Sequence, residues 1–145
     1  MIFVNDGRGK FLPELIIKVC LQLIDREVQD KTGLSGMAIK AGYAAVKGIR
    51  PGFVDRVVED LLPEFAGAVD PIYQEALAKG RPVAQHFVDE RARVADSLLA
   101  ITDGRARKTK SGVVKATYER LRGSAKKNVE AAVPRLGELV QKHTA

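Results

Sequence analysis

Apolar residues recur at steps of three and four along most of this chain, and that spacing constrains its fold more than any other feature. In the first such segment, Leu12, Ile16, Val19, Leu23 and Ile24 share one stripe of a helix, with polar residues on the other side. No segment shows the sustained apolar-polar alternation of a strand, and no Asn-Gly hairpin turn occurs. The sequence therefore predicts an all-α protein.

Glycines and a proline divide the first half of the pattern into helices. The first helix is predicted to stop at Gly33, because glycine readily adopts the left-handed conformation that ends a helix. Ser35 is predicted to cap a second helix that runs to Lys47. Pro51-Gly52 is predicted to open a third.

Prolines are predicted to interrupt the second half in the same way. Pro63 should break or bend the third helix, Asp70-Pro71 should start another, and Pro82 should open one that ends near residue 101. Residues 102–110 are the most loop-like stretch, and Ser111 is predicted to cap a long final helix. The expected architecture is one compact bundle of six or seven helices with Pro- and Gly-punctuated connections.

Length and composition place this bundle in a broad class. The 145 residues suit a single domain: an N-terminal arm at 1–10, extended or disordered, and a helical domain at 11–145. One cysteine permits neither an internal disulfide nor a Cys-rich zinc site. Without a membrane span or a signal-peptide pattern, we expect a cytoplasmic protein, and a homodimer is compatible with the sequence.

The positive charge is concentrated in the last third of the chain. Residues 105–145 contain 11 basic and 3 acidic residues, whereas residues 1–104 contain 13 basic and 15 acidic ones. Such a segment predicts, as the leading function, a non-enzymatic binding or adaptor protein that docks an anionic partner, either a nucleic acid bound without sequence specificity or an acidic protein surface. The candidate contact residues are Arg105, Arg107, Lys108, Lys110, Lys115, Arg122, Lys126 and Lys127. The alternative is a solvated basic helix that only keeps the protein soluble.

The second predicted helix suggests another function. It is rich in small residues, which let a neighbouring backbone come close beside an apolar cavity. The alternative function is therefore a helical carrier of an apolar or lipid-like ligand, although a tightly packed core helix explains the same residues. The candidate cavity residues are Ala38, Gly42, Phe53, Phe65, Tyr73 and Phe87.

No set of residues in the sequence assembles a catalytic centre. Cys20 is predicted to be a buried, inert thiol, because it lies beside the apolar stripe of the first helix. His86 and Glu90 could contribute two metal ligands from one helix, but we expect a solvated polar face there instead. We therefore predict no catalytic residue, no metal, no cofactor and no enzymatic activity.

Several short pieces resemble a family of small, helical, uncharacterised bacterial proteins. They include Gly33-Leu34-Ser35-Gly36, Ala38-Ile39-Lys40, Gly42-Tyr43, Val46-Lys47, Pro51-Gly52, Leu61-Leu62-Pro63, Asp70-Pro71, Leu98-Leu99-Ala100, Tyr118-Glu119 and Pro134-Arg135-Leu136-Gly137. The resemblance covers residues 33–140 and implies a helical, cytoplasmic bacterial protein. It implies no activity, cofactor or site residue.

Overall fold

The structure is a computed structural model that describes residues 12–143, without the side chains of residues 12–17, 34, 35 and 143. This described part contains six helices and no strand, so the predicted fold class and helix number are confirmed. The predicted arm at 1–10 lies outside the described residues. The helices are α1 (Leu12–Asp30), α2 (Gly33–Lys47), α3 (Phe53–Ala78), α4 (Val83–Asp89), α5 (Arg91–Lys108) and α6 (Gly112–His143).

The corner between α1 and α2 depends on two glycines. Gly33 has a φ of +75° and is the first residue of α2, and Thr32 is its N-cap, so the prediction that Ser35 caps this helix is wrong by three positions. A Cβ atom on Gly36 would lie 2.6 Å from the carbonyl carbon of Lys31. Glycine at position 36 therefore lets the start of α2 pack directly against the end of α1.

Proline does not interrupt α3, contrary to the prediction. The helix runs through both Pro63 and Pro71, so Asp70-Pro71 is not a helix start. A proline in a helix leaves the carbonyl four residues earlier without its hydrogen bond. Here those carbonyls belong to Glu59 and Gly67, which are both exposed to solvent. Water can satisfy them, and the buried face of α3 holds the helix together.

The helix predicted to start at Pro82 is in fact two helices. α4 ends at Asp89 and α5 begins at Arg91, with a turn at Glu90. In a continuous helix, the apolar stripe that contains Phe87 and Val94 would also contain Glu90 or Arg91. One of these two charged residues would then point towards the core. The turn keeps both charged residues out of the core.

The prediction of a loop at 102–110 is largely wrong, because α5 continues to Lys108. Interactions with distant helices hold this last part of α5. Asp103 pairs with Arg122 of α6, and Arg105 pairs with Glu64 of α3. The predicted cap of α6 is confirmed, since the Ser111 hydroxyl accepts a hydrogen bond from the Val114 amide at 3.3 Å.

The two longest helices, α3 and α6, do not approach each other at the backbone within the described residues. Each packs against α1, α2, α4 and α5. Towards the C-terminal ends of α3 and α6, the space between them is filled by a dense core around Phe87. The core cluster comprises Leu62, Ala66, Val69, Ile72, Ala76, Val83, Phe87, Val94, Val133, Leu139 and Val140.

Two glycines of α6 should respond oppositely to alanine. A Cβ on the buried Gly137 would lie 3.1 Å from the backbone of Ala84 in α4, whereas one on Gly123 meets nothing within 4 Å. We expect Gly137→Ala to destabilise the protein by about 1–3 kcal/mol, because α4 must move. Gly123→Ala should stabilise it by up to about 1 kcal/mol through higher helix propensity. Chemical denaturation measures both, and equal effects would disprove the close α4–α6 crossing.

Candidate functional site

An apolar cavity of about 440 Å³ lies where α3 and α6 stay apart. Five helices, α1, α2, α3, α5 and α6, contribute to its wall. α3 lines it with Val58, Leu62 and Phe65, which are spaced to share one helix face. The volume is within the range of about 300–1,000 Å³ that is common for small-molecule sites.

The cavity is long rather than round. Its lining residues on α6 extend from Tyr118 to Leu136, a distance of about 27 Å along the helix axis. On α1 they extend from Cys20 to Lys31, or about 16 Å. A volume of this size distributed over such a length describes a channel between helices.

The wall of the channel is almost entirely apolar. Burial raises the pKa of Cys20, one of the wall residues, to about 11. The thiol therefore stays protonated at neutral pH, as predicted for an inert cysteine. The polar residues of the wall are Glu27, Lys31, Thr102, Tyr118 and Asn128.

A hydrogen-bonded cluster closes one side of the channel. The Tyr118 hydroxyl donates to the Asp103 carboxylate and lies 2.8 Å from the Thr102 hydroxyl. Arg122 donates to the same carboxylate at 2.8 and 3.1 Å. Burial and the bond to Asp103 raise the pKa of Tyr118 above its ordinary value. The cluster thus holds the α5–α6 wall in place.

A second, more polar groove of about 650 Å³ lies on the other side of this wall. It shares Thr102 and Tyr118 with the channel. Its other lining residues include Phe53 and the charged side chains of Glu64 and Arg105. Glu64 and Arg105 form an ion pair at 2.9 Å, so these two charges neutralise each other within the groove.

The structure separates the six residues predicted to surround an apolar ligand. Phe65 lines the channel and Phe53 lines the second groove. Ala38, Gly42, Tyr73 and Phe87 line neither. Phe87 is fully buried in the core, and a Cβ on Gly42 would lie 3.0 Å from Thr117 of α6. Gly42 therefore lies where α2 and α6 pack closely together. Close helix packing was the structural explanation that the sequence offered for the small residues of α2.

Sequence reasoning missed most of the channel. Ala125 and Ala132 line it from α6. Their signal is visible in the sequence: two small residues interrupt an otherwise larger apolar stripe, and small residues leave space in front of a helix. That signal cannot distinguish a cavity from a close helix crossing.

The eight predicted anion-binding residues fall into two groups. Three pair with carboxylates of the chain: Arg105 with Glu64, Arg122 with Asp103, and Lys126 with Asp96 at 3.2 Å. The other five are exposed around the α5–α6 corner and along α6. Among the described residues, no carboxylate lies within 4 Å of the cationic groups of Arg107, Lys108, Lys110, Lys115 and Lys127.

His86 is buried, so the prediction that it lies on a solvated face is wrong. Its side chain is 1% exposed, beside Phe87. Arg81, which can only donate hydrogen bonds, lies 2.9 Å from Nδ1. The ring proton is therefore on Nε2, which donates to Glu75 at 3.0 Å. The sequence could not reveal this, because Glu75 comes from a different helix.

This cluster also bears on metal binding. Glu75, His86 and Glu90 each place a ligand atom within 4.8 Å of the others, so α3 supplies the third ligand that the sequence lacked. However, a metal on Nε2 would shift the ring proton to Nδ1, where Arg81 already donates. Arg93 also bridges the two carboxylates, at 3.0 Å from Glu75 and 3.2 Å from Glu90. The geometry therefore favours an ion-paired cluster that joins α3, α4 and α5.

Acid should destabilise the protein through its Arg-paired carboxylates. Arg122 lowers the pKa of Asp103, and Arg93 lowers that of Glu75. Their stabilisation is complete above the unfolded-state pKa values of about 4 and is lost as the pH falls through the lower folded-state values. Thermal denaturation between pH 6 and pH 2.5 should show the melting temperature falling, and falling less steeply in Asp103→Asn. Parallel curves for both proteins would refute this assignment.

None of the helices within residues 12–143 is long and apolar enough to cross a bilayer.

Comparison with known proteins identifies the chain by family alone. No curated protein matches it significantly, and neither does any solved structure. A family profile described as "Family of unknown function (DUF6918)" matches residues 13–144. The match begins at residue 13, whereas the resemblance seen in the sequence begins at residue 33, so the match also covers α1 from its second residue. The chain therefore belongs to the DUF6918 family of unknown function.

Proposed function

We propose that this protein is a non-enzymatic, cytoplasmic carrier that binds one lipid-like molecule with a single hydrocarbon chain. The observation that supports the proposal best is the apolar channel between α3 and α6. Burying a hydrocarbon chain there removes apolar surface of both ligand and protein from water, at roughly 25 cal/mol per Å². That gain is the driving force for binding.

The shape of the channel determines the class of ligand. Its volume of about 440 Å³ extends along the Tyr118–Leu136 face of α6, which is about 27 Å long. An extended chain fills such a space better than a compact ring system of equal volume. We therefore expect fatty-acid-like molecules of about 14 to 18 carbons to bind, and sterol-like molecules to bind weakly.

The proposal can be tested with purified protein from which bound lipid has been stripped. Calorimetric titration with hexadecanoate should give a 1:1 complex with a dissociation constant of about 1 μM or lower. Native mass spectrometry should then show one added ligand mass on the monomer. A ligand-free dimer, or no added ligand mass on the monomer at saturating hexadecanoate, would contradict the proposal, because a second copy of the chain or a different function would then explain the apolar surface.

A second candidate function is docking of an acidic partner, as the basic C-terminal third predicts. Five cations around the α5–α6 corner and along α6 favour this function. Among the described residues, none of the five has a carboxylate within 4 Å. A cation with no internal partner is free to contact a polyanion and release counterions. The three cations that are already paired would contribute less, since binding would have to break their ion pairs.

The second candidate predicts a salt-sensitive affinity. At 50 mM salt the protein should bind a DNA or RNA duplex, and at 200 mM salt the affinity should fall at least about tenfold. Replacing Lys108, Lys110 and Lys115 with Ala should weaken binding strongly. Replacing Lys18, Lys40 and Lys79, which are exposed outside residues 105–145, should have little effect. Equal losses in the two triple variants would reject a localised docking surface.

A further inference from the structure

Lys31 is a charged residue at one end of an apolar channel. It is the first residue after α1, it lines the channel, and its side chain is only 18% exposed. The close contact of Gly36 with the Lys31 backbone fixes its position at the α1–α2 corner. The side chain therefore follows the channel wall, with its ammonium group held near the channel lining.

The ammonium group of Lys31 is poorly satisfied. Its one carboxylate partner among the described residues is Glu27, at 3.9 Å, which is beyond hydrogen-bond distance. Glu27 has a closer partner, because Arg135 of α6 approaches its other oxygen at 3.3 Å. A lysine ammonium has three donors, and a half-buried one gains most from an acceptor that comes within about 3 Å.

The opposite side of the channel is unsuitable for a negative charge. The hydroxyl of Tyr118 is there, but it already donates to the Asp103 carboxylate. An anion at this wall would face the Asp103 carboxylate, which already accepts hydrogen bonds from Tyr118 and Arg122. The two sides therefore differ in unused donors: the Lys31 ammonium lies beyond hydrogen-bond distance of Glu27, whereas the Tyr118 hydroxyl proton is already donated.

We propose that Lys31 binds the anionic head group of the ligand, a carboxylate or a phosphate monoester. The inference rests on the proposed function and adds to it the class and the orientation of the ligand. The head group lies at the α1–α2 corner, and the hydrocarbon chain extends along α6 towards Tyr118. Arg135 remains paired with Glu27 at 3.3 Å and with Asp30 at 2.7 Å when the head group binds Lys31.

The test compares three ligands of equal chain length at pH 8: hexadecanoate, hexadecyl phosphate and hexadecanol. Wild-type protein should bind at least one anionic ligand about tenfold more tightly than the alcohol. Lys31→Met keeps the unbranched side chain and removes the charge, so it should weaken binding of the anionic ligands to the level of hexadecanol. Lys79→Met is the matched control, because Lys79 also pairs with a glutamate four residues earlier, at 3.7 Å, but lies outside the channel.

The outcomes separate this inference from the proposed function. If none of the three ligands binds wild-type protein, the proposed function itself fails. If all three bind with equal affinity, or if Lys31→Met retains the anion preference, the channel still binds lipid and the assignment of Lys31 is wrong. A preference for one of the two anionic ligands identifies the head group as carboxylate or phosphate.

Discussion

Replacing Phe87 with Ala should lower the free energy of unfolding by about 3–5 kcal/mol. Phe87 is fully buried and belongs to the core cluster between α3, α4 and α6. Its removal leaves a cavity that the surrounding helices cannot close, because Gly137 already brings α4 and α6 into contact. Urea denaturation monitored by circular dichroism measures the loss.

The matched variant is Phe65→Ala, which should cost less than about 2 kcal/mol. Phe65 is also an aromatic residue that faces inward from a long helix, but it borders the channel and lacks packing partners on that side. The difference between the two variants therefore reports on the channel directly. Equal losses at positions 65 and 87 would indicate that the space between α3 and α6 is as well filled at one end as at the other.

Replacing Ala132 with Phe should weaken hexadecanoate binding by about 100-fold, equivalent to about 2.7 kcal/mol. Ala132 lines the channel from α6, between Val129 and Leu136. A phenyl ring there occupies space that the hydrocarbon chain needs. Because the ring would enter the channel rather than the packed core, the variant should fold and keep its melting temperature.

Ala131→Phe is the control for Ala132→Phe. The two alanines are adjacent on α6, but Ala131 is exposed and lies outside the channel lining. Its replacement adds the same ring without obstructing the channel, so the affinity should stay within about twofold of wild type. If Ala132→Phe binds hexadecanoate as tightly as Ala131→Phe does, the ligand is bound elsewhere.

Most of the fold could be predicted from local patterns, and the errors have a common cause. The three-and-four spacing predicted the helices, and Ser111 caps α6 and Lys47 ends α2 as expected. Pro63 was misinterpreted because its effect depends on whether the carbonyl of Glu59 faces water. That depends on how α3 packs, which a single segment of sequence does not determine.

For the candidate site, the sequence indicated which types of residue would be present, but not which of them line the cavity. The small and aromatic residues of the sequence predicted an apolar cavity, but four of the six predicted residues, Phe87 among them, line neither the channel nor the second groove. The channel exists because α3 and α6 stay apart, and four other helices set that separation. The cationic residues show the same limitation, since the acidic partners of Arg122 and Lys126 are on α5 and no local pattern pairs them.

The most direct test of a ligand-binding channel uses Cys20, the one cysteine of the chain, as a reporter. Cys20 lines the channel, and its raised pKa makes it react slowly with thiol reagents near pH 8.5. Saturating hexadecanoate should slow this reaction at least about tenfold, because the bound chain covers the thiol. An unchanged rate in protein that has demonstrably bound hexadecanoate would contradict the account.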